Sequence, residues 1–157
     1  IGLIGKPASL KTFNFYYLDN IEDIFVTTKD YLRNLSARGV KKSEILQNST
    51  LMLLDKGNMT RKYIDDYLQE NQIHVKDSID ISNMDLLIDF AKIGVGVACV
   101  IKSIVSKELA DGTLIEIPLG IPIHKREVGF AYKASSKLST SLQTFIKFYE
   151  SYTPEDF

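Results

Sequence analysis

The order of hydrophobic and polar positions along the chain predicts strands and helices in alternation. Continuous apolar runs at residues 50–54 and 95–101 are typical of strands that are buried on both faces of a sheet. Apolar residues at helical spacing over 60–71 and around 86–91 predict helices between these strands. Consecutive strand–helix units of this kind predict an α/β fold, in which a parallel sheet carries helices on both faces.

Shorter patterns complete the predicted order of elements. Aromatic residues alternate with polar ones over 12–18, which predicts a strand that Asp19-Asn20 ends. Residues 1–5 resemble the inside of a buried strand, and the polar stretch 28–48 is irregular with room for a short helix. Further strands are predicted at 24–26, 75–81, 114–117 and 128–132, and further helices at 104–110 and 138–149.

Composition narrows the class of protein. The 157 residues include 19 Lys and Arg against 20 Asp and Glu, a net charge of −1, which argues against a dedicated nucleic-acid-binding surface. One cysteine, Cys99, excludes an intrachain disulfide framework, and no apolar run reaches the length of a membrane span. The chain begins at Ile1 inside an apolar run without the pattern of a secretory signal, so we expect an N-terminally truncated, cytoplasmic protein.

Two helix starts are the candidate binding residues. Gly57 allows a tight turn before the first helix, and Asn58 or Thr60 can cap its free N–H groups, with Met59 between them. Free N–H groups and the helix dipole also suit a carboxylate or phosphate. Ser82-Asn83 begin the second helix in the manner of a capping box. From the residues alone, plain helix caps are the favoured interpretation at both places.

The remaining polar and reactive residues indicate no catalysis. His74 and His124 have no neighbours at metal-ligand spacing, and Cys99 lies in an apolar strand, which favours a core position. Lys56 and Arg61 flank the first turn and could balance an acidic effector, although solvated surface charges are the commoner outcome. The sequence therefore predicts no catalytic residue, no metal and no cofactor.

The order of motifs between residues 50 and 118 is more specific than any one of them. They are a strand, glycine turn and Thr-Arg helix start over 51–61, a helix leading into Gly94-Val95-Gly96-Val97, and the run from Leu109 to Leu114. This succession resembles the effector-binding domain of LysR-type transcriptional regulators, and the likeness covers nearly the whole chain. Val100-Ile101 departs from it, because the family usually has Leu-Pro at the end of this strand.

The resemblance implies a two-lobed fold like that of type 2 periplasmic binding proteins, with the first part of lobe one absent. Lobe one would consist of residues 1–20 plus 114–157, and lobe two of residues 21–113. It further implies a non-enzymatic domain that senses a small-molecule effector, such as a carboxylate or another anion, in a cleft between the lobes. Effector contacts are then expected at Gly57, Asn58, Met59, Thr60, Ser82 and Asn83.

The resemblance also implies partners. A homodimer or tetramer is expected, and DNA would be bound only through a helix-turn-helix domain that this chain lacks. Helix 60–71 is the candidate dimer surface, either with Tyr63 and Tyr67 pointing toward a partner or with both packed inside the monomer. The alternative functions are a solute-binding protein of a transporter and, less favoured, an enzyme such as prephenate dehydratase, for which Thr60-Arg61-Lys62 lacks the required acid.

Overall fold

The computed structural model describes residues 2–7, 9, 11–134 and 138–151, which are divided between two compact α/β units. The first unit contains residues 1–18 and 128–157, and the second contains residues 19–127. Two strands, β2 (Phe13–Ile21) and β8 (Arg126–Lys133), run across the boundaries between the units.

The first unit is built on a three-stranded sheet in the order β1, β8, β2. Strand β1 (Gly2–Gly5) pairs antiparallel with β8, and helix α6 (Thr140–Ser151) follows β8 in the chain. Phe130 of β8 contacts the Phe145 and Tyr149 rings of α6 edge to face, at centroid distances of 5.1 and 5.7 Å. These aromatic contacts fix the helix on the sheet.

Two expectations for the first unit are corrected. The predicted strand at residues 1–5 is present as β1, but it is an outer strand of the described sheet, so Leu3 is 65% exposed instead of buried. Ile1 lies outside the described residues. Asp19-Asn20 do not end β2, which continues to Ile21, because their side chains are exposed and need no place in a core.

The second unit contains five strands, β3 (Asp23–Thr27), β4 (Thr50–Leu54), β5 (Asp77–Ile81), β6 (Val97–Ile101) and β7 (Ile115–Glu116). They form one sheet in the order β5, β4, β6, β3, β7. Strands β5, β4 and β6 are parallel, whereas β3 is antiparallel to both β6 and β7. The sheet is therefore mixed and not fully parallel as predicted, since an apolar run indicates burial but not strand direction.

Helices cover both faces of this sheet, as predicted. The helices are α1 (Lys29–Ala37), α2 (Ile45–Asn48), α3 (Met59–Glu70), α4 (Met84–Lys92) and α5 (Ser106–Asp111). Leu51 and Leu53 of β4 contribute to the core on one face, together with α1, α2 and α3, and Met52 contributes to the core on the other, together with α4. The polar stretch 28–48 carries α1 and α2, with Thr28 capping α1.

The buried face of α4 differs by one position from the predicted stripe. Leu87 and Ala91 are buried as expected, but Leu86 is exposed and Ile88 is buried in its place. Leu86 and Ile88 each point about 100° away from Leu87, on opposite sides of it, so the sequence alone does not show which of the two faces the sheet. Among the described residues, no helix combines the length and apolar character needed to cross a membrane.

Residues 114–127 pack within the second unit, although the family resemblance implies that residues 114–157 belong to lobe one. Leu114, Ile117 and Ile123 are buried in the two cores of this unit, and β7 pairs with β3. Their burial on this sheet extends the second unit beyond the expected residues 21–113.

The glycines of the Gly94-Val95-Gly96-Val97 motif have separate structural roles. Gly94 follows α4 with a φ of +76°, the left-handed conformation predicted for the glycine that ends this helix. Gly96 is buried, and a Cβ at this position would collide with the carbonyl oxygen of Thr50. The motif therefore ends α4 and then lets β6 approach β4 closely.

Candidate functional site

Both predicted helix starts lie at one edge of the second unit's sheet. Strand β4 leads through residues 55–58 into α3, and the neighbouring parallel strand β5 leads through Ser82 and Asn83 into α4. The Asp55 N–H donates to the Ile81 carbonyl at 3.1 Å and joins the two turns. The two helices cover opposite faces of the sheet, which makes this carboxyl edge the usual place for a ligand in an α/β sheet.

The start of α3 is capped by Asn58. The Asn58 Oδ1 accepts from the Thr60 N–H at 2.8 Å, so Asn58 and not Thr60 is the cap. Met59 follows with 58% of its surface exposed. Gly57 does not have the conformational role expected of it, because its φ lies outside the left-handed region and a Cβ would meet no atom within 4 Å.

The start of α4 is capped by Asn83, one residue later than a capping box headed by Ser82 would require. The Asn83 Oδ1 accepts from the Leu86 N–H at 2.9 Å, while Ser82 is exposed. Asp85 lies in the first turn of α4, whereas the first turn of α3 has no acidic residue. The dipole of α3 is therefore the better placed of the two to attract an anion.

Thr60 belongs to a cluster that the sequence did not indicate. The Arg126 side chain binds the Asp23 carboxylate through two hydrogen bonds of 2.6 and 2.9 Å, and its Nη2 donates to the Thr60 Oγ1 at 3.2 Å. Asp23 pairs with Ile101 of β6, which puts it at the same sheet edge as the helix starts. Its carboxylate is fully buried and Arg126 is 11% exposed, so a buried charge pair supports this side of the candidate site.

Tyr63 of α3 completes the cluster. The Arg126 guanidinium lies 5.1 Å from the centre of the Tyr63 ring, and the Tyr63 hydroxyl donates to the His124 carbonyl at 2.7 Å. Burial raises the pKa of Tyr63, and the nearby charge of Asp23 raises it further, so Tyr63 stays protonated as a donor. The charge of Arg126 is thus committed to Asp23, Thr60 and Tyr63.

Arg61 is neither a solvated charge nor a charge available to an effector. Only 6% of its side chain is exposed, and its Nη1 donates to the Leu54 carbonyl at 2.8 Å and to Asp80 at 2.6 Å. Its Nε donates to Asp65 at 2.8 Å. Burial opposes the charged form of Arg61, but the bonds to Asp65 and Asp80 outweigh it and raise the pKa of Arg61. Arg61 therefore ties α3 to β4 and β5, while Lys56 is exposed.

The two tyrosines of α3 pack inside the second unit. Tyr63 donates to the His124 carbonyl, and Tyr67 donates to the Ile121 carbonyl at 2.6 Å. Tyr67 is buried, and burial raises its pKa. Both tyrosines therefore have the expected orientation that packs within this chain, and a dimer surface on this helix stays a prediction.

Reactive and metal-binding side chains do not add to the site. Cys99 is buried in β6, and burial holds the pKa of its thiol well above the usual value, with the Asp23 charge adding to the effect. In the described part of the chain, no three His, Cys, Asp or Glu side chains are grouped closely enough to hold a metal ion.

The sequence places the chain in a regulatory family. Residues 1–153 match the family described as the LysR substrate binding domain, and the chain belongs to this family. The family is non-enzymatic, and its domains have the periplasmic-binding-protein-like fold. The uncharacterized HTH-type transcriptional regulator YeiE of Escherichia coli K12 is 23% identical over 112 residues, which are 71% of this chain and 38% of that protein. The chain thus spans about two fifths of this curated relative.

Solved structures of regulatory domains show the same fold. The CcmR regulatory domain of Synechocystis PCC6803, solved with 2-PG, is 17% identical with a TM-score of 0.74, covering 93% of this chain and 69% of that one. The QuiR effector-binding domain, solved with shikimate, is 16% identical with a TM-score of 0.74, covering 99% and 72%. The apo HypT regulatory domain of Salmonella typhimurium is 19% identical with a TM-score of 0.71, covering 92% and 68%.

Proposed function

We propose that this chain is the effector-sensing part of a LysR-type transcriptional regulator and that a small carboxylate binds at the carboxyl edge of strands β4 and β5. The observation that carries the proposal is the juxtaposition of the α3 and α4 starts, joined by the hydrogen bond from the Asp55 N–H to the Ile81 carbonyl. Family membership supports a sensing role, and the CcmR and QuiR structures with 2-PG and shikimate support a small-molecule effector.

The start of α3 supplies the proposed anion contact. Helix capping leaves other N–H groups of the first turn without a helical partner, and no acid in that turn opposes a carboxylate. The Thr60 hydroxyl oxygen accepts from Arg126, which leaves the hydroxyl proton to be donated to the effector. Gly57 and Asn58 line the turn, and exposed Met59 offers an apolar surface to the effector's carbon skeleton.

The start of α4 supplies the proposed contacts to neutral polar groups. Ser82 is exposed, so its hydroxyl can rotate to donate or accept a hydrogen bond. The Asn83 Oδ1 accepts from the Leu86 N–H, which leaves the side-chain amide N–H groups of Asn83 available as donors. Asp85 disfavours a second negative charge at this end. The expected effector is therefore a monocarboxylate with hydroxyl or similar groups on the side nearer α4.

We further propose the arrangement of the intact regulator. The HTH-type relative, of which this chain matches 38%, supports a separate DNA-binding domain elsewhere in the protein. Dimer or tetramer formation would couple effector binding in one chain to the DNA-binding domains, and the regulator would act in the cytoplasm. An effector can shift an equilibrium between two conformations of the regulator only to the extent that its affinities for the two conformations differ.

A ligand screen that reports both affinity and position tests the proposal. The chain is titrated with shikimate and a panel of other small carboxylates, each paired with its methyl ester, and thermal unfolding and amide NMR shifts are followed. A carboxylate at 100 times its Kd should add about 2.7 kcal/mol to the free energy of unfolding. We expect the shifts to centre on residues 57–60 and 82–83 and the ester to bind more weakly. Shifts centred elsewhere, or no binding by any carboxylate, would contradict the proposal.

A further inference from the structure

A cavity lies in the second unit, between helix α1 and strand β7, and none of its lining residues belongs to the candidate effector site. Its volume is about 380 Å³, within the range of small-molecule pockets. The floor is apolar and includes the buried side chains of Leu35 and Ile45. Leu32, Val40, Ile115 and Pro118 complete the apolar lining.

Cations surround this apolar floor. Lys29 and Arg33 of α1 and Lys42 of the 3₁₀ turn at Lys42–Glu44 all line the cavity, against one acid, Glu116. Glu116 is already paired with Lys102 at 3.0 Å, and Arg33 is paired with Asp30 at 3.0 Å. Within the described part of the chain, neither Lys29 nor Lys42 forms an ion pair. The cavity therefore combines an apolar interior with uncompensated positive charge.

The backbone of β7 adds a donor to the same cavity. β7 is one of the two outer strands of its sheet in the described part of the chain, and the Ile117 N–H donates to the Phe25 carbonyl at 2.8 Å on the inner side. Because hydrogen-bonded and non-hydrogen-bonded pairs alternate in an antiparallel ladder, the Glu116 N–H, opposite Val26, points to the open side. A carboxylate in the cavity would meet this N–H as well as the lysines.

From this combination we propose that the cavity between α1 and β7 binds an amphipathic carboxylate, with its hydrocarbon part on the apolar floor and its carboxylate toward Lys29, Lys42 and the Glu116 N–H. The inference goes beyond the proposed effector site and stands independently of it. A peptide strand is the less suitable occupant, because β7 offers only the two residues Ile115–Glu116 and Pro118 follows closely. Proline has no N–H to extend a strand pairing.

Octanoate is the probe, and 1-octanol is its neutral counterpart. The full chain with labelled methyl groups is titrated with each compound below its aggregation concentration, and the methyl shifts of Val40 and Ile115 are followed. Ile79 of β5, outside the cavity, is the internal reference. We expect one octanoate per chain, with shifts at Val40 and Ile115 and not at Ile79.

Two kinds of variant distinguish the contribution of the lysine charges to binding from the contribution of the cavity's shape. K29Q/K42Q should weaken octanoate about fivefold and leave octanol within about twofold, since exposed charge contacts are individually small. S36W places a large ring over the cavity from an exposed position on α1 and should abolish both shifts. K62Q/K107Q removes two exposed lysines elsewhere and should change neither.

These experiments test the cavity between α1 and β7 and not the candidate effector site. Unchanged octanoate binding in S36W, equal weakening of octanol and octanoate by K29Q/K42Q, or no shift at Val40 and Ile115 would overturn the proposal. Sedimentation showing that the chain pairs with itself in a manner abolished by S36W would assign the surface to a second copy and would also overturn it. The T60A variant, which tests the effector site, should leave octanoate binding unchanged.

Discussion

Asp23 and Arg126 form a two-point ion pair although 103 positions separate them in the chain. The bonds measure 2.6 and 2.9 Å, and the Asp23 carboxylate has no exposed surface. The same guanidinium contacts the Thr60 hydroxyl at the start of α3. One ion pair therefore joins strand β3, the last residues of the second unit and the start of α3 in the candidate effector site.

Removal of Arg126 should destabilise the protein strongly, since it leaves a buried carboxylate without a partner. We expect R126A to lower the free energy of unfolding by about 3–5 kcal/mol. The neighbouring variant K125A is the control, because Lys125 is mostly exposed and its pair with Glu22 should contribute about 0–1 kcal/mol. Urea unfolding measures both, and equal effects of the two variants would contradict a structural role for the buried pair.

The Thr60 hydroxyl should contribute to effector affinity and little to stability. Once a carboxylate ligand is identified, T60A should weaken it by about 1.5–3 kcal/mol through loss of a charge-assisted hydrogen bond. S103A removes a hydroxyl from an exposed residue in the 3₁₀ turn at Lys102–Val105 and should not change affinity. Titration calorimetry compares the two, and equal affinities would remove Thr60 from the site.

Arg61 should behave as a structural residue with no direct effect on the effector. R61Q leaves Asp80, Asp65 and the Leu54 carbonyl without their common donor, so we expect a loss of about 2–4 kcal/mol of stability. R33Q breaks an exposed pair with Asp30 and should cost about 0–1 kcal/mol. Carboxylate affinity of folded R61Q should match the parent; a large loss of affinity would indicate a direct contact.

The close approach of β6 to β4 should make Gly96 intolerant of any side chain. A Cβ at Gly96 collides with the carbonyl of Thr50, and strand backbone on both sides limits the relaxation, so we expect G96A to cost about 1–3 kcal/mol. Gly120 has open space where a Cβ would be, so G120A is the matched control and should be near neutral. Denaturant midpoints of the two variants provide the comparison.

Local patterns along the sequence predicted the elements of the second unit better than its side-chain contacts. The uninterrupted run at 50–54 became β4 without change, and the helical spacing from residue 60 became α3. These features follow from apolar residues a few positions apart, which the chain itself displays. The order of strands in the sheet, by contrast, depends on pairings between distant segments.

The candidate site was predicted in part for the same reason. Asn58 and Asn83 cap their helices through contacts two or three residues away, which a sequence shows. Asp23 and Arg126 meet across 103 positions, and nothing near either residue indicates the other. The orientation of Tyr63 and Tyr67 likewise depends on the distant carbonyls of residues 121–124, so the helical pattern left both orientations open.

Among the described residues with a shifted pKa, Cys99 alone should make the protein less stable as the pH rises from about 8.5 to 10. Burial raises the pKa of its thiol in the folded chain, whereas the unfolded thiol ionises near pH 8.5. Above that pH the unfolded chain releases a proton that the folded chain retains, so the free energy of unfolding falls by up to about 1.4 kcal/mol per pH unit. The raised pKa values of Tyr63, Tyr67 and Lys102 start from 10 or above, so the loss of stability that each causes with rising pH begins only above about pH 10. Urea unfolding between pH 7 and 10 should show the decline in the parent chain but not in C99A, whose lower stability from the lost packing is constant over this range.

The native thiol should also react with a disulfide reagent only at the rate of unfolding, and rapid reaction at pH 8 would show that Cys99 is accessible.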